Sequence, residues 1–186
     1  MDNEQLVQID QGISQQLKKL SLLAESMTLT EVALFELSDL TDVIAEEAHH
    51  YPGIYLFEIR ADLSIKSCGD WLDEFTELWL NHEEPIAWVP GIKQIRIKAH
   101  KRAGSLSEWV PLYIGKSRNV GKRISEHIHK GREKTTFAMK LKIRRIFYGQ
   151  SFRVKTLQLN IENYDVIAPH LESFFREKWH PLVGKQ

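Results

Sequence analysis

The chain has 186 residues and only one cysteine, Cys68. A single thiol can form neither a disulfide within the chain nor a cysteine-based zinc site. No internal repeat and no low-complexity tract is present. No apolar run approaches the roughly 18 residues that would suggest a membrane span. The opening residues, MDNEQLVQIDQ, are polar and acidic and do not read as a signal peptide. These absences point to a reducing, cytoplasmic setting with no membrane partner. Net charge is absent too, but only in the sum. Residues 1–90 hold 18 Asp/Glu against 4 Lys/Arg, whereas residues 91–158 hold 18 Lys/Arg against 3 Asp/Glu. The middle of the chain is as basic as a nucleic-acid-binding domain, and an acidic segment ahead of it can restrain non-specific polyanion binding.

What is present is enough for one domain with an appendage: 42% of the residues are hydrophobic. Leu6, Ile9, Ile13, Leu17, Leu20 and Leu23 recur at three- and four-residue steps, predicting a helix over 4–27. A second helix is expected over Glu31–Glu47, ended by Tyr51-Pro52-Gly53. Residues 1–50 therefore read as a helical arm and 51–186 as the main domain. Gly53–Ile59 reads as a buried strand, Trp71–Leu80 as a short helix, and Trp109–Gly115 as another strand. Ile92–His100 alternates apolar and basic residues and is expected to pair with Trp109–Gly115 as a hairpin with one basic face. Asn119 is a candidate N-cap for a helix running to His129 through Val120, Ile124 and Ile128. A basic helix over Lys134–Phe147, a strand over Phe152–Leu159 and a last helix starting near Pro169 complete the reading. The fold class expected is α/β (α+β).

The chemistry concentrates in Pro111–Ile128, PLYIGKSRNVGKRISEHI. Arg123 and His127 lie one turn apart on a helix, beside its apolar stripe. Lys116 leaves the strand just ahead of that helix, where free N–H groups and the helix dipole favour an anion. With Tyr113, the set offers a guanidinium, an ammonium, an imidazole and a phenol, which is chemistry suited to a phosphate. Arg118 and Lys122 stand in the same stretch.

Two tripeptides make this more specific. Gly53-Ile54-Tyr55 and Tyr113-Ile114-Gly115, followed by Lys116, Arg123, His127 and a late Glu172 in HLESFFREKWHP, resemble the GIY-YIG nuclease superfamily over residues 51–182. The resemblance implies a small, mainly antiparallel sheet flanked by helices. It implies a phosphodiesterase acting on double-stranded DNA with one divalent metal, Mg2+ or Mn2+. Glu172 would bind the metal, and Arg123 would stabilise transition-state charge. Tyr55, with Tyr113 beside it, would deprotonate the attacking water, and His127 would accept the phenol's proton. Which tyrosine is the base stays open at this point.

The chain departs from the family in two respects. Its tripeptides are separated by 57 residues, so most of 60–108 is an insertion. And Gly184 stands where the family often has an asparagine. The insertion and the histidine version of the motif are most similar to type II restriction endonucleases of bacteria and phages, which usually act as homodimers. A loosely specific repair, mobile-element or anti-phage nuclease, or a non-catalytic DNA-binding module, would fit the same residues. The expected DNA contacts are Lys93, Arg96, Lys98, Lys101 and Arg102 from the insertion, and Lys140, Lys142, Arg144 and Arg145 from the basic block, with Arg118 and Lys122.

Overall fold

The strand Gly53–Arg60 is apolar on both faces, so it must be covered on both, and the architecture follows from that. In the computed structural model, which describes residues 3–41, 46–62, 67–81, 86–132 and 136–184, it is β2 and every residue up to Ile59 is buried. The elements run α1 (Asn3–Ser26), β1 (Thr30–Glu36), β2, α2 (Cys68–Leu80), β3 (Gly91–Ile92), α3 (Gln94–Ala103), β4 (Trp109–Ser117), α4 (Val120–His129), β5 (Ser151–Gln158), α5 (Tyr164–Trp179) and β6 (Val183–Gly184). A four-stranded antiparallel sheet has the order β1-β5-β2-β4, and β3 and β6 form a separate two-stranded pair. The fold is α+β.

Alternation along β2 divides the core in two. Ile54 and Leu56 face Ala24 of α1 and Ala168, Leu171 and Phe175 of α5. Tyr55, Phe57 and Ile59 face the other side, with Trp71, Phe75 and Trp79 of α2 and Val120, Ile124 and Ile128 of α4. Side chains of opposite parity leave a strand on opposite faces, so a single strand feeds both layers. The two tripeptides meet as neighbours in the sheet. Tyr55 pairs with Gly115, and Phe57 with Tyr113; a bulge follows, with Leu112 as the extra residue of β4.

Four local expectations need correction. Residues 30–36 form an edge strand paired with β5, not the start of a helix, and the rest of that expected helix includes residues 42–45, outside the described set. Thr30, Val32 and Phe35 suit an edge, and the pairing partner lies far away in sequence. Residues 94–103 form a helix, not a strand. Its alternation is shallow: Ile97 is buried while Ile95 is exposed, and Gly104 closes it in the left-handed conformation of a helix C-cap. The hairpin with β4 is therefore absent. The segment before β5 is not a basic helix: within it, the described residues form 3-10 turns at Leu141–Ile143 and Arg145–Phe147, and Lys134 lies outside the described residues. The last helix begins at Tyr164, five residues ahead of Pro169, which sits inside it.

α1 packs only through its C-terminal end. Leu6, Ile9, Ile13 and Leu23 stay exposed while Ala24 is buried. Among the described residues no helix is long and apolar enough to cross a membrane.

Gly53 sits where the Leu157 backbone of β5 passes so closely that a Cβ would collide with the carbonyl oxygen. Backbone cannot rotate away as a side chain can. Gly53→Ala is expected to cost about 1–3 kcal/mol of stability, as overpacking in a core does. Urea unfolding measures it, and an unchanged midpoint would contradict the close approach.

Candidate active site

The side chains expected to carry chemistry come from four elements. β2 supplies Tyr55; β4 supplies Tyr113 and Lys116; α4 supplies Arg123 and His127; α5 supplies Glu172. Asn119 does cap α4, its side chain accepting from the Lys122 N–H, and this fixes where the helix leaves β4. Tyr55, Tyr113, Lys116, Arg123 and Glu172 line one cavity of about 420 Å³ with Arg96, Arg176 and Gly184. A larger hollow of about 1070 Å³, lined by His129, Arg132, Lys142 and Arg145, contains none of these motif residues. The site is identified by its chemistry, and the smaller cavity holds it.

His127 is not at the surface of the core, as its helical position suggested. It is wholly buried, behind Tyr55. Its Nδ1 accepts the Met139 backbone N–H at 3.1 Å, and its Nε2 lies 3.1 Å from the Tyr55 hydroxyl. A ring nitrogen that accepts has no proton, so the proton is on Nε2 and is donated to the Tyr55 oxygen. His127 is therefore not set up to receive the phenol's proton. It is a donor that favours the phenolate. Burial, and then the charge of Arg123, hold its pKa well below the ordinary imidazole value.

The two phenols are stacked, with ring centroids 6.2 Å apart. Burial pushes the Tyr55 pKa well above 10, and Tyr113 adds to the rise; the charge of the nearby Arg123 guanidinium opposes both. Burial likewise raises Tyr113, again opposed by Arg123. Gly115 is what lets Tyr55 reach this position. A Cβ there would collide with the Tyr55 hydroxyl.

Arg123 is committed at both ends of its fork. Nη1 donates to Glu126 at 2.6 Å, and Nη2 donates to the Phe137 carbonyl. Glu172 is held by Arg176 of the next turn at 2.5 Å. Among the described residues it is the one carboxylate that lines the cavity, and no group of three His, Cys, Asp or Glu side chains among them could cage a metal. That donor set fits a hard divalent cation, which commonly takes one or two protein carboxylates and completes its shell with water and substrate phosphate.

The basic residues divide. Lys98, Arg102, Lys122 and Arg145 are exposed. Lys101 is paired with Asp73 at 2.5 Å, and Arg118 with Asp165 at 2.6 Å, both near the surface. Lys142 reaches the Thr41 carbonyl at 3.1 Å. Lys140 and Arg144 require correction, because both are buried and neither presents its charge to a duplex. Lys140 donates to the Ala87 carbonyl at 2.8 Å. Arg144 donates to the Met139 and Trp79 carbonyls and lies 3.9 Å over the Trp79 ring; burial brings its pKa down to about 9. They brace the segment that carries Met139. Two features went unread in the sequence. One is the Met139 N–H, which no residue pattern announces. The other is Arg176, whose spacing of four from Glu172 was the available signal.

The His127 arrangement has a pH consequence. The folded protein resists protonating this ring, while the unfolded chain takes a proton near pH 6.5. Stability from this group is present above that pH and is lost below it, with a limiting slope of about 1.4 kcal/mol per pH unit. Urea unfolding between pH 7.5 and 5 should show the wild type losing stability more steeply than His127→Gln. Parallel profiles would mean that the ring is charged in the fold.

A family model, the GIY-YIG catalytic domain, matches residues 107–165, from the loop before β4 to the first turn of α5. Comparison with curated proteins and with solved structures gave no match. The matched segment contains Tyr113, Lys116, Arg123 and His127, and the sheet adds Tyr55 from β2, which lies between β4 and β5. Residues 107–165 carry a GIY-YIG catalytic domain, and the protein is an endonuclease.

Proposed function

We propose that this endonuclease hydrolyses phosphodiesters of double-stranded DNA, using Mg2+ or Mn2+ held at Glu172. The observation that carries the reading is the convergence of two phenols, Lys116, Arg123, Arg176 and a single carboxylate in one cavity. A phosphate entering it meets Lys116, which is exposed at the end of β4. Arg123 lies beside both phenols and offsets the charge that builds up on the phosphoryl oxygens. Tyr55 first releases its own proton to solvent through the cavity and then, as the phenolate, takes a proton from the attacking water. An unperturbed phenol ionises too little for that role at neutral pH. His127 Nε2–H, donating to its oxygen, and the nearby charge of Arg123 stabilise the phenolate. A divalent ion bound at Glu172 would supply positive charge to the scissile phosphate and the leaving oxygen.

We further read the chain as a sequence-specific restriction enzyme. Each chain has one such cavity and would cut one strand, so a palindromic site calls for two copies. The exposed stripe of α1 supports a homodimer. The exposed Lys98, Arg102, Lys122 and Arg145 are the cations available for DNA backbone contacts.

The test is digestion of a large unmethylated plasmid with Mg2+. Discrete fragments are expected, absent with EDTA. Glu172→Gln and Arg123→Ala should each lower the rate about 100-fold or more. Tyr55→Phe should lose more than Tyr113→Phe, because only Tyr55 accepts from His127. A smear would discard sequence specificity, and cleavage by Glu172→Gln at the full rate would discard the metal site. Light scattering on the free protein should give twice the 21.7 kDa chain mass; a single-chain mass would remove the dimer.

A further inference from the structure

The inserted segment does more than lengthen the chain. α3 is tied down on residues 180–184. The Lys93 N–H donates to the Leu182 carbonyl at 2.9 Å, His100 Nε2 lies 2.8 Å from the His180 carbonyl, and β3 pairs with β6. This docking puts one residue of α3, Arg96, into the cavity wall, near Arg176 of α5.

The cations of that wall are not equivalent. Arg123 holds Glu126, and Arg176 holds Glu172. Arg96 donates Nη1 to the Pro181 carbonyl at 3.3 Å, and among the described residues it forms no ion pair. It is half-buried, with the like charge of Arg176 nearby. Burial first, and Arg176 second, lower its pKa, and the charge of Glu177 opposes them without forming an ion pair with it. A guanidinium partly withdrawn from water, beside another cation and in no ion pair among the described residues, is less closely compensated than buried cations ordinarily are. Beside it is Gly184. A Cβ at that position would stand at ordinary contact distance, 3.7 Å, from Arg96 Nη1, so this strand runs directly beside the guanidinium.

We propose that Arg96 is a phosphate-binding residue of the catalytic cavity, delivered by the insertion, that grips the DNA strand being cut. Its planar fork suits two oxygens of one phosphodiester. The directly bonded anion that Glu177 does not supply arrives with the substrate. The inference rests on the endonuclease reading of this cavity, and it adds to that reading a substrate contact from outside the segment that the family model matches.

Arg96→Gln tests it with little disturbance, because the amide can still donate to the Pro181 carbonyl while the charge is gone. Arg96→Lys restores the charge without the fork. Two quantities are measured on the full chain: binding of thymidine 3′,5′-bisphosphate by calorimetry without metal, and plasmid cleavage with Mg2+. The expected result is about tenfold weaker bisphosphate binding for Arg96→Gln, as for loss of a charge-assisted bidentate contact. Cleavage should fall about 100-fold, with part of each recovered in Arg96→Lys. Wild-type binding and cleavage in Arg96→Gln would overturn the proposal. If the wild type cuts no DNA yet its bisphosphate binding depends on Arg96, the phosphate contact stands and the nuclease reading of the cavity falls.

Discussion

The site depends on one close approach, the Tyr55 hydroxyl lying over Gly115. The two tripeptides, 57 residues apart in sequence, lie on paired strands, and the absence of a side chain on one admits the ring of the other. Once the phenol is there, the other contacts have little freedom. His127 must come from α4 to meet the hydroxyl, Tyr113 stacks against it, and Arg123 is the cation within reach of both rings. The glycines of the two tripeptides thus do different things. Gly53 makes room for backbone, and Gly115 makes room for a reactive oxygen.

The electrostatic design sets burial against polarisation. Burial alone would hold Tyr55 protonated. The fold opposes this with a fixed donor on the phenol oxygen, His127, and with the charge of Arg123. Fixing that donor takes further structure. The Met139 N–H sets the histidine tautomer, and the segment holding Met139 is braced by Lys140 and Arg144, whose charges are spent on carbonyls and on the Trp79 ring. A basic stretch that looks like a DNA contact is in this part a scaffold for the histidine.

Legibility in the sequence followed the range of the determining contact. β2 was readable because a continuous apolar run after Pro-Gly has few other uses, and α4 because Asn119, Val120, Ile124 and Ile128 specify a capped amphipathic helix within ten residues. Glu172 and Arg123 were readable through their motif spacing. Thr30–Glu36 was misread because its partner, β5, lies more than a hundred residues away, and an edge strand buries too little to show a period of two. Ile92–His100 was misread because its alternation has the period of a strand, whereas the helix buries only Ile97 and is held by contacts with residues 180–184, far away in sequence. The orientation of Lys140 and Arg144 was invisible because nothing in a basic run says which cations turn inward.

The pairing of β3 with β6 has a consequence for how the protein is made. It joins residue 91 to residue 184, closing a loop that spans about half of the chain. Contacts that close so large a loop form late, because the chain entropy they restrict must be overcome after the nearer contacts are in place. The sheet and α4 are complete by residue 158, but the wall carrying Glu172, Arg176 and Arg96 is not. A chain emerging from a ribosome therefore holds its phenols and Arg123 in position before it has the carboxylate or the full set of cations. An unfinished copy has the phenols and Arg123 without the wall that completes the cavity.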